Sequence, residues 1–403
     1  MTLYEFGCRA FQKLAAFGRM LWFWKDPQLL KGPGSAEELP ALIKSLGLRR
    51  VLLVTDPGLM KLGLPGPLLR GLEKEGVFCA VYDQTRADPD TDEIEAALRL
   101  YRREKCGGVI AFGGGSPMDC AKMVAFCAAP PARKPRSVRG IQAVPLRKPP
   151  KVFAVPTTAG TGSEITIAAV VTDPRTHAKY SVLSPLLCPK YAALDPLLTV
   201  GLPPHITGQT GMDALTHAVE AFIGRGHTKL TDARALEAVA LVLANLEAAY
   251  TDGGNIAARE AMLYASWCAG AAFTRAYVGY VHGIAHALGG LYGTPHGLAN
   301  AVILPHMLDW YGRSAHARLA RLAEAAKLCD ENASDAEKAA GFIAAIREMN
   351  LRMKIPEGFD CIREEDIPLL AARAIKESNP LYPVPKIMRG AECENVIRSL
   401  MKA

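Results

Sequence analysis

No C-x-x-C pair occurs in this chain of 403 residues, although it holds ten cysteines. They stand at 8, 79, 106, 120, 127, 188, 268, 329, 361 and 393, scattered through apolar segments. This spacing argues against a disulfide framework and for reduced, buried thiols in a cytoplasmic protein. A dense basic run is missing too. The nearest, Arg133 to Lys151, is broken by prolines, and the net charge of +7 is small for the length. A solvated loop accounts for it better than a nucleic-acid patch, so no nucleic-acid partner is expected. No apolar stretch is long enough to cross a bilayer. Phe11 to Trp24 comes nearest, but Lys13 and Arg19 interrupt it and Lys25-Asp26-Pro27 ends it. No small-residue cleavage site follows, which argues against a signal peptide. An amphipathic helix packed on the body is the first reading of this segment, and docking to a membrane surface or partner the second. Internal repeats and low-complexity tracts are absent.

Half the residues are apolar and 22% charged, a globular composition, and the length allows two domains. Short β-branched runs at 50–55, 77–82, 108–112 and 152–155 predict strands. Helical patterns at 92–104 and 119–128 lie between them. This alternation implies a parallel sheet with helices on both faces. Beyond Pro203-Pro204 strand signals almost vanish, and 213–223, 230–250, 256–274, 314–328 and 336–349 fit a helical period. The expected organisation is an N-terminal extension at 1–30, an α/β dinucleotide-binding domain at 31–202 and an all-helical domain at 203–403. A cleft between two domains is the default place for a site.

The strand at 108–112 runs into Gly113-Gly114-Gly115-Ser116 and then a helix. Glycines let a ligand approach the backbone, and a helix start aims free N–H groups at an anion such as a pyrophosphate. A tight turn without a ligand is the alternative, since this is not G-x-G-x-x-G. Pro156 to Glu164 follows the next strand and holds four hydroxyls, Thr157, Thr158, Thr161 and Ser163, with two glycines. Those hydroxyls suit ribose, phosphate or carboxamide, or a capped turn. Asp56 follows the strand at 50–55. A carboxylate there can accept from both ribose hydroxyls and would repel a 2′-phosphate, favouring NAD over NADP. A turn-forming Asp before Pro57-Gly58 is the plainer alternative.

Asp213 and His217 lie four apart, on one helix face. His282 and His286 repeat the spacing. Gly289 to Thr294 reads as a glycine-rich loop leading to His296. Four of the nine histidines fall in these three short segments. One carboxylate and three imidazoles, Asp213, His217, His282 and His296, suit a divalent first-row metal.

These segments resemble the iron-containing (group III) alcohol dehydrogenases over nearly the whole chain, most nearly those of lactaldehyde- or butanol-reductase type. The resemblance is carried by GGGSPMDCAK from Gly113, PTTAGTGSE from Pro156, GMDALTHAVEA from Gly211 and HGIAHALGGLYGTPHGLANAVILPH from His282. It implies a dehydroquinate synthase-like architecture, with the metal held in the cleft by Asp213, His217, His282 and His296. It places the pyrophosphate loop at Gly113 to Ser116 with Asp119 close by, and the ribose carboxylate at Asp56. It also places a cofactor-contacting lysine at Lys179 and an aromatic wall of the substrate pocket at Phe273. A homodimer is implied. Departures are Asp88 in place of an asparagine, Ala168, Ala287, and Ser378-Asn379-Pro380-Leu381-Tyr382-Pro383 in place of Gly-Asn-Pro-Arg.

The implied reaction is hydride transfer between a small primary alcohol or diol and NAD, with Fe(II) or Zn(II) acting as Lewis acid. His286, one turn after His282, is the expected proton relay, with a pocket wall as the alternative. Two other readings stay open. One is a glycerol-dehydrogenase- or dehydroquinate-synthase-like enzyme of the same wider fold. The other is a non-catalytic assembly component docked through Tyr4 to Trp24.

Overall fold

The computed structural model describes residues 2–19, 24–129, 133–142, 148–175 and 179–402, with side chains from 16 to 19 left aside. Residues 20–23 of the N-terminal apolar segment, 143–147 of the basic stretch and His177-Ala178 beside Lys179 lie outside the described residues. The chain forms two compact units, Phe23–Gly201 and Met1–Trp22 with Leu202–Ala403. The opening helix α1 (Leu3–Arg19) therefore belongs with the second half of the chain.

The Phe23–Gly201 unit runs β1 (Gln28–Lys31), α2 (Leu39–Ser45), β2 (Arg50–Val54), α3 (Pro57–Lys61), α4 (Gly66–Lys74), β3 (Phe78–Tyr82), α5 (Thr91–Arg103), β4 (Gly108–Gly113) and α6 (Gly115–Ala128). It continues with β5 (Gly140–Ile141), β6 (Lys151–Pro156), β7 (Ala168–Thr172), β8 (Lys179–Leu183) and β9 (Tyr191–Leu194). Six strands form one parallel sheet in the order β1-β9-β6-β4-β2-β3. Every residue of β4 is buried, as is all of β2 after Arg50. Such unbroken apolar strands belong to a parallel sheet covered on both faces. Leu39, Ile43, Leu68 and Leu72 from the helices pack on Val51, Leu53, Ile110, Phe112, Phe153 and Val155.

Two features differ from the sequence reading. Residues 1–30 are not one extension. Gln28 to Lys31 is an edge strand, paired in register with Tyr191 to Leu194. A four-residue strand has no periodicity of its own to display, and its pairing is long-range. A second, three-stranded sheet in the order β5-β8-β7 also forms, with β7 and β8 antiparallel.

The other unit is helical, with α7 (Pro204–Ile223), α8 (Lys229–Thr251), α9 (Ile256–Ala276), α10 (Tyr280–Tyr292), α11 (His296–Tyr311), α12 (His316–Ala325), α13 (Asp335–Arg352), α14 (Ile367–Ser378) and α15 (Gly390–Ser399). The Gly289 to Thr294 stretch is mostly helix, not loop. Helix α10 runs through Gly289 and Gly290 and stops at Gly293, whose φ of 68° closes it in the left-handed conformation. Pro295 then starts α11, so His296 is its first residue. At Gly297 a Cβ would stand 2.4 Å from the Gln209 carbonyl, so only glycine lets α11 start this close to α7.

One buried acid stands out in the sheet unit. Glu164 is 2% exposed, and its Oε1 has no hydrogen-bond partner among the described residues. Burial pushes its carboxyl up to about 7, against the pull of a backbone N–H and of Lys122. The unfolded chain releases this proton near the ordinary value of 4.5, so folding binds a proton between the two values. Stability contributed by the protonated acid is therefore lost as pH rises through that window. Glu164→Gln should remove this slope. Melting curves of the two proteins should agree near the low end, and the variant should gain on the order of 2–3 kcal/mol at pH 8. An unchanged pH slope in the variant would refute the assignment.

Candidate functional site

Three helices bring one carboxylate and three imidazoles together. The i, i+4 spacing on α7 puts Asp213 and His217 side by side, α10 supplies His282, and the first residue of α11 is His296. One donor atom from each lies within 4.8 Å of the others. Asp213 Oδ1 is 3.8 Å from His217 Nδ1, 3.9 Å from His282 Nε2 and 3.4 Å from His296 Nε2. Asp213, His217 and His282 are buried and His296 is half-buried, so the cluster is closed on one side and accessible on the other.

Two residues overlooked in the sequence organise these donors. Glu220 is 3% exposed and lies seven residues, two turns, after Asp213. It accepts the backbone N–H groups of Gly279 and Val281, each at 2.8 Å, and stands 2.6 Å from His282 Nδ1. Burial pushes Glu220 up to about 7, against these backbone hydrogen bonds. Asn300, fully buried and one turn after His296, donates through Nδ2 to Asp213 Oδ1 at 2.7 Å. The same nitrogen is 3.2 Å from His282 Nε2 and 3.2 Å from His296 Nε2. An amide NH2 has two hydrogens, so with one on Asp213 Oδ1 it can donate to one of these two Nε2 atoms; for His282, the Glu220 carboxyl at Nδ1 leaves the Nε2 lone pair inward. Burial first, then the neighbouring His217, His296 and His286, holds His282 well below its ordinary range and keeps it neutral. A neutral His282 with its Nε2 lone pair inward, beside Asp213 and two further imidazoles, fits a divalent cation.

His286 is outside this set. Its ring stacks on His296, centroids 5.1 Å apart, and its Nδ1 is 2.6 Å from Glu377 Oε1. Tyr382 donates its hydroxyl to the same oxygen at 2.8 Å. Phe273 stacks on His217 with centroids 4.1 Å apart and rings within 14° of parallel. No motif announced Glu377, and Tyr382 stood in the Ser378 to Pro383 departure without a role assigned to it.

Asp56, Gly113 and Thr157 stand at the carboxyl ends of the parallel strands β2, β4 and β6. The chain leaves β2 for the edge strand β3, then returns across β2 to β4. Such a reversal opens a crevice between the ends of β2 and β4. Asp56 follows β2, Gly113 ends β4, and the Thr157 N–H donates to the Gly113 carbonyl at 3.1 Å beside the end of β6. Gly113 has φ of 148°, and a Cβ there would strike Pro117 at 2.6 Å. Helix α6 begins behind Gly114 with no side-chain cap and no acid in its first turn, so its free N–H groups suit an anion.

Some of these side chains already have internal partners. Asp56 caps α3, accepting the Leu59 N–H at 2.9 Å through Oδ1. Thr161 Oγ1 accepts the Ser163 N–H at 3.2 Å. Ser163 donates to Asp119 at 2.9 Å and accepts from buried Lys122 at 2.8 Å. The other Asp119 oxygen takes the Val170 N–H. Asp119 and Ser163 thus tie α6 to the hydroxyl segment and to β7. Lys179 pairs with Asp88 at 2.7 Å, while the Asp88 N–H donates to Ser116 Oγ at 3.2 Å.

Comparison with known proteins places this geometry. Two family models match, "Iron-containing alcohol dehydrogenase" over residues 27–196 and "Fe-containing alcohol dehydrogenase family, C-terminal" over 207–401. A 1,3-propanediol dehydrogenase of Klebsiella pneumoniae is 39% identical, the alignment covering 86% of this chain and 90% of that one. An NAD-dependent methanol dehydrogenase of Bacillus methanolicus is 36% identical over 89% of this chain and 95% of that one. The crystal structure of a 1,3-propanediol oxidoreductase superposes with a TM-score of 0.90 at 36% identity, covering 94% of this chain and all of the other.

Glu220 generates a test that needs no turnover. Glu220→Ala frees the His282 ring to rotate and should weaken divalent-metal affinity by about 10- to 100-fold, with the fold kept. Competition titration against a chelator measures this. Unchanged affinity would show that His282 needs no such support.

Proposed function

The chain belongs to the iron-containing alcohol dehydrogenase family, and on that premise we propose that it transfers hydride between a small primary alcohol or diol and NAD. The observation that carries this is the convergence of Asp213, His217, His282 and His296 on one partly open point. A divalent ion held by these four would supply Lewis acidity, and the nicotinamide would exchange the hydride. Iron(II) is the proposed metal on family grounds, and zinc suits the same donors.

The chain's own residues do the rest. Glu220 keeps His282 in one tautomer with Nε2 inward. Phe273 walls the pocket through its stack on His217. His286, steadied at Nδ1 by Glu377, exchanges a proton with the substrate oxygen through Nε2. The first turn of α6, with Gly113 to Ser116, receives the pyrophosphate. Thr157, Thr158 and Thr161 offer hydroxyls beside it, while Asp119 and Ser163 hold that segment in shape. Asp56 keeps one oxygen on its helix cap and offers the other to ribose, which disfavours a 2′-phosphate and makes NAD the preferred cofactor. Lys179 reaches the cofactor only by loosening its pair with Asp88.

All ten cysteines are free, which fits a reducing cytoplasm. No helix among the described residues is long and apolar enough to cross a membrane. A homodimer completes the proposal.

The direct test is NADH and NADPH consumption by anaerobically prepared, Fe(II)-loaded protein against short aldehydes, with metal-free and zinc-loaded controls. Metal-dependent NADH oxidation is expected, and its absence with every metal despite measured NAD binding would refute the reaction. His286→Gln should keep its metal and slow turnover by roughly 100-fold. Loss of metal in that variant would make His286 a ligand instead. Asp88→Asn should release Lys179 and tighten NADH binding by roughly three- to tenfold in a fluorescence titration. Weaker binding would mean that Asp88 supports the cofactor site.

A further inference from the structure

The segment from Asn379 to Met388 has three prolines, at 380, 383 and 385, and so lacks three of its backbone donors. Its few N–H groups cannot meet every carbonyl: Val384 N–H reaches the Tyr382 carbonyl at 2.9 Å and Arg225 N–H the Pro383 carbonyl, and helix α1 supplies further donors from outside. Gln12, 8% exposed, donates through Nε2 to the Tyr382 carbonyl at 2.8 Å and to the Pro380 carbonyl at 3.1 Å. Arg9 donates to the Val384 carbonyl at 2.7 Å and to the Pro385 carbonyl at 2.9 Å. Arg9 also donates to Gln12 Oε1 at 2.9 Å, which fixes the amide with its NH2 toward the segment. From the other side Tyr280, two residues before His282, donates to Asn379 Oδ1 at 2.7 Å and accepts the Met388 N–H at 2.9 Å.

What this clamp holds is a wall of the candidate site. Tyr382, whose carbonyl sits on Gln12, donates its hydroxyl to Glu377 Oε1, the oxygen facing His286 Nδ1. From α1 the link runs by a hydrogen bond to the Tyr382 carbonyl, through the Tyr382 side chain, and by hydrogen bonds through Glu377 to the His286 ring stacked on His296. We infer that α1 is a built-in brace of the active site. In this reading Arg9 and Gln12 are positioning residues that set the Tyr382–Glu377 pair and, through it, the orientation of His286. The inference rests on the role given to His286 above.

The test uses the full-length, metal-loaded protein. The Arg9→Ala/Gln12→Ala double variant should bind metal at wild-type stoichiometry, because the metal donors lie on α7, α10 and α11. Its kcat should fall about tenfold, with a smaller change in KM. Tyr382→Phe should give a similar loss. The triple variant should lose little more, since all three changes break one path. Arg9→Lys, which keeps a donor, should recover part of the loss. Amide hydrogen exchange across 379–388 should quicken in the double variant, whatever happens to turnover. Full activity in the double variant, a loss that multiplies with Tyr382→Phe, or unchanged exchange would each overturn the brace. Should His286→Gln turn over normally while exchange still quickens on removing Arg9 and Gln12, the role of His286 fails and the brace stands as a clamp on the segment alone. If the double variant fails to fold, Gln12→Ala alone carries the same exchange measurement.

Discussion

A buried carboxylate with two jobs organises the helical unit. Among the described residues no Lys or Arg is paired with Glu220. Its charge is met by backbone N–H groups at the start of α10 and by His282 Nδ1. A helix start is the place where a buried carboxylate finds several unpaired donors together. The same oxygens therefore fix where α10 begins relative to α7 and which way the His282 ring points. Without that contact the His282 side chain could turn, and the cluster would lose one of its four corners.

The sheet unit uses the same chemistry in the opposite sense. Helix α10 has its starting N–H groups occupied from within by Glu220, whereas α6 starts behind Gly114 with no side-chain cap. An occupied helix start fixes structure, and an uncapped one keeps N–H groups that an anion can use. Around α6 the buried Lys122 bonds to Ser163, Thr166 and the Ala168 carbonyl, and so holds the hydroxyl segment against the helix. The arrangement pairs these polar side chains with each other and leaves the first turn of α6 without a side-chain cap.

Much of this was legible locally. The strands at 50–54, 78–82, 108–113 and 151–156 announce themselves because a buried parallel strand is a continuous apolar run. The pairs Asp213/His217 and His282/His286 are legible because a helix turns once in 3.6 residues. Glu220 and Asn300 were within reach of the same rule, two turns after Asp213 and one turn after His296, but a lone Glu or Asn in a motif carries no label of its role. The edge strand β1, the antiparallel β7–β8 pair and the true extent of α10 were not legible. The first two depend on partners far along the chain, and the third on which of the three glycines, Gly289, Gly290 or Gly293, turns left-handed, a choice that falls on Gly293. The N-terminal helix was foreseen as amphipathic, yet its buried face is polar as much as apolar, with Arg9 and Gln12 reaching for carbonyls some 370 residues away.

By itself the sequence determined which side chains share a helix face, where apolar strands run and where glycine permits a close backbone, since these follow from local geometry. Only the tertiary structure decided that α1 packs with the C-terminal half, that Glu377 and Tyr382 stand behind His286, and that Asp88 takes hold of Lys179. Each of those is a contact between segments with no shared period, and its existence depends on how whole helices and strands pack to bury their apolar faces.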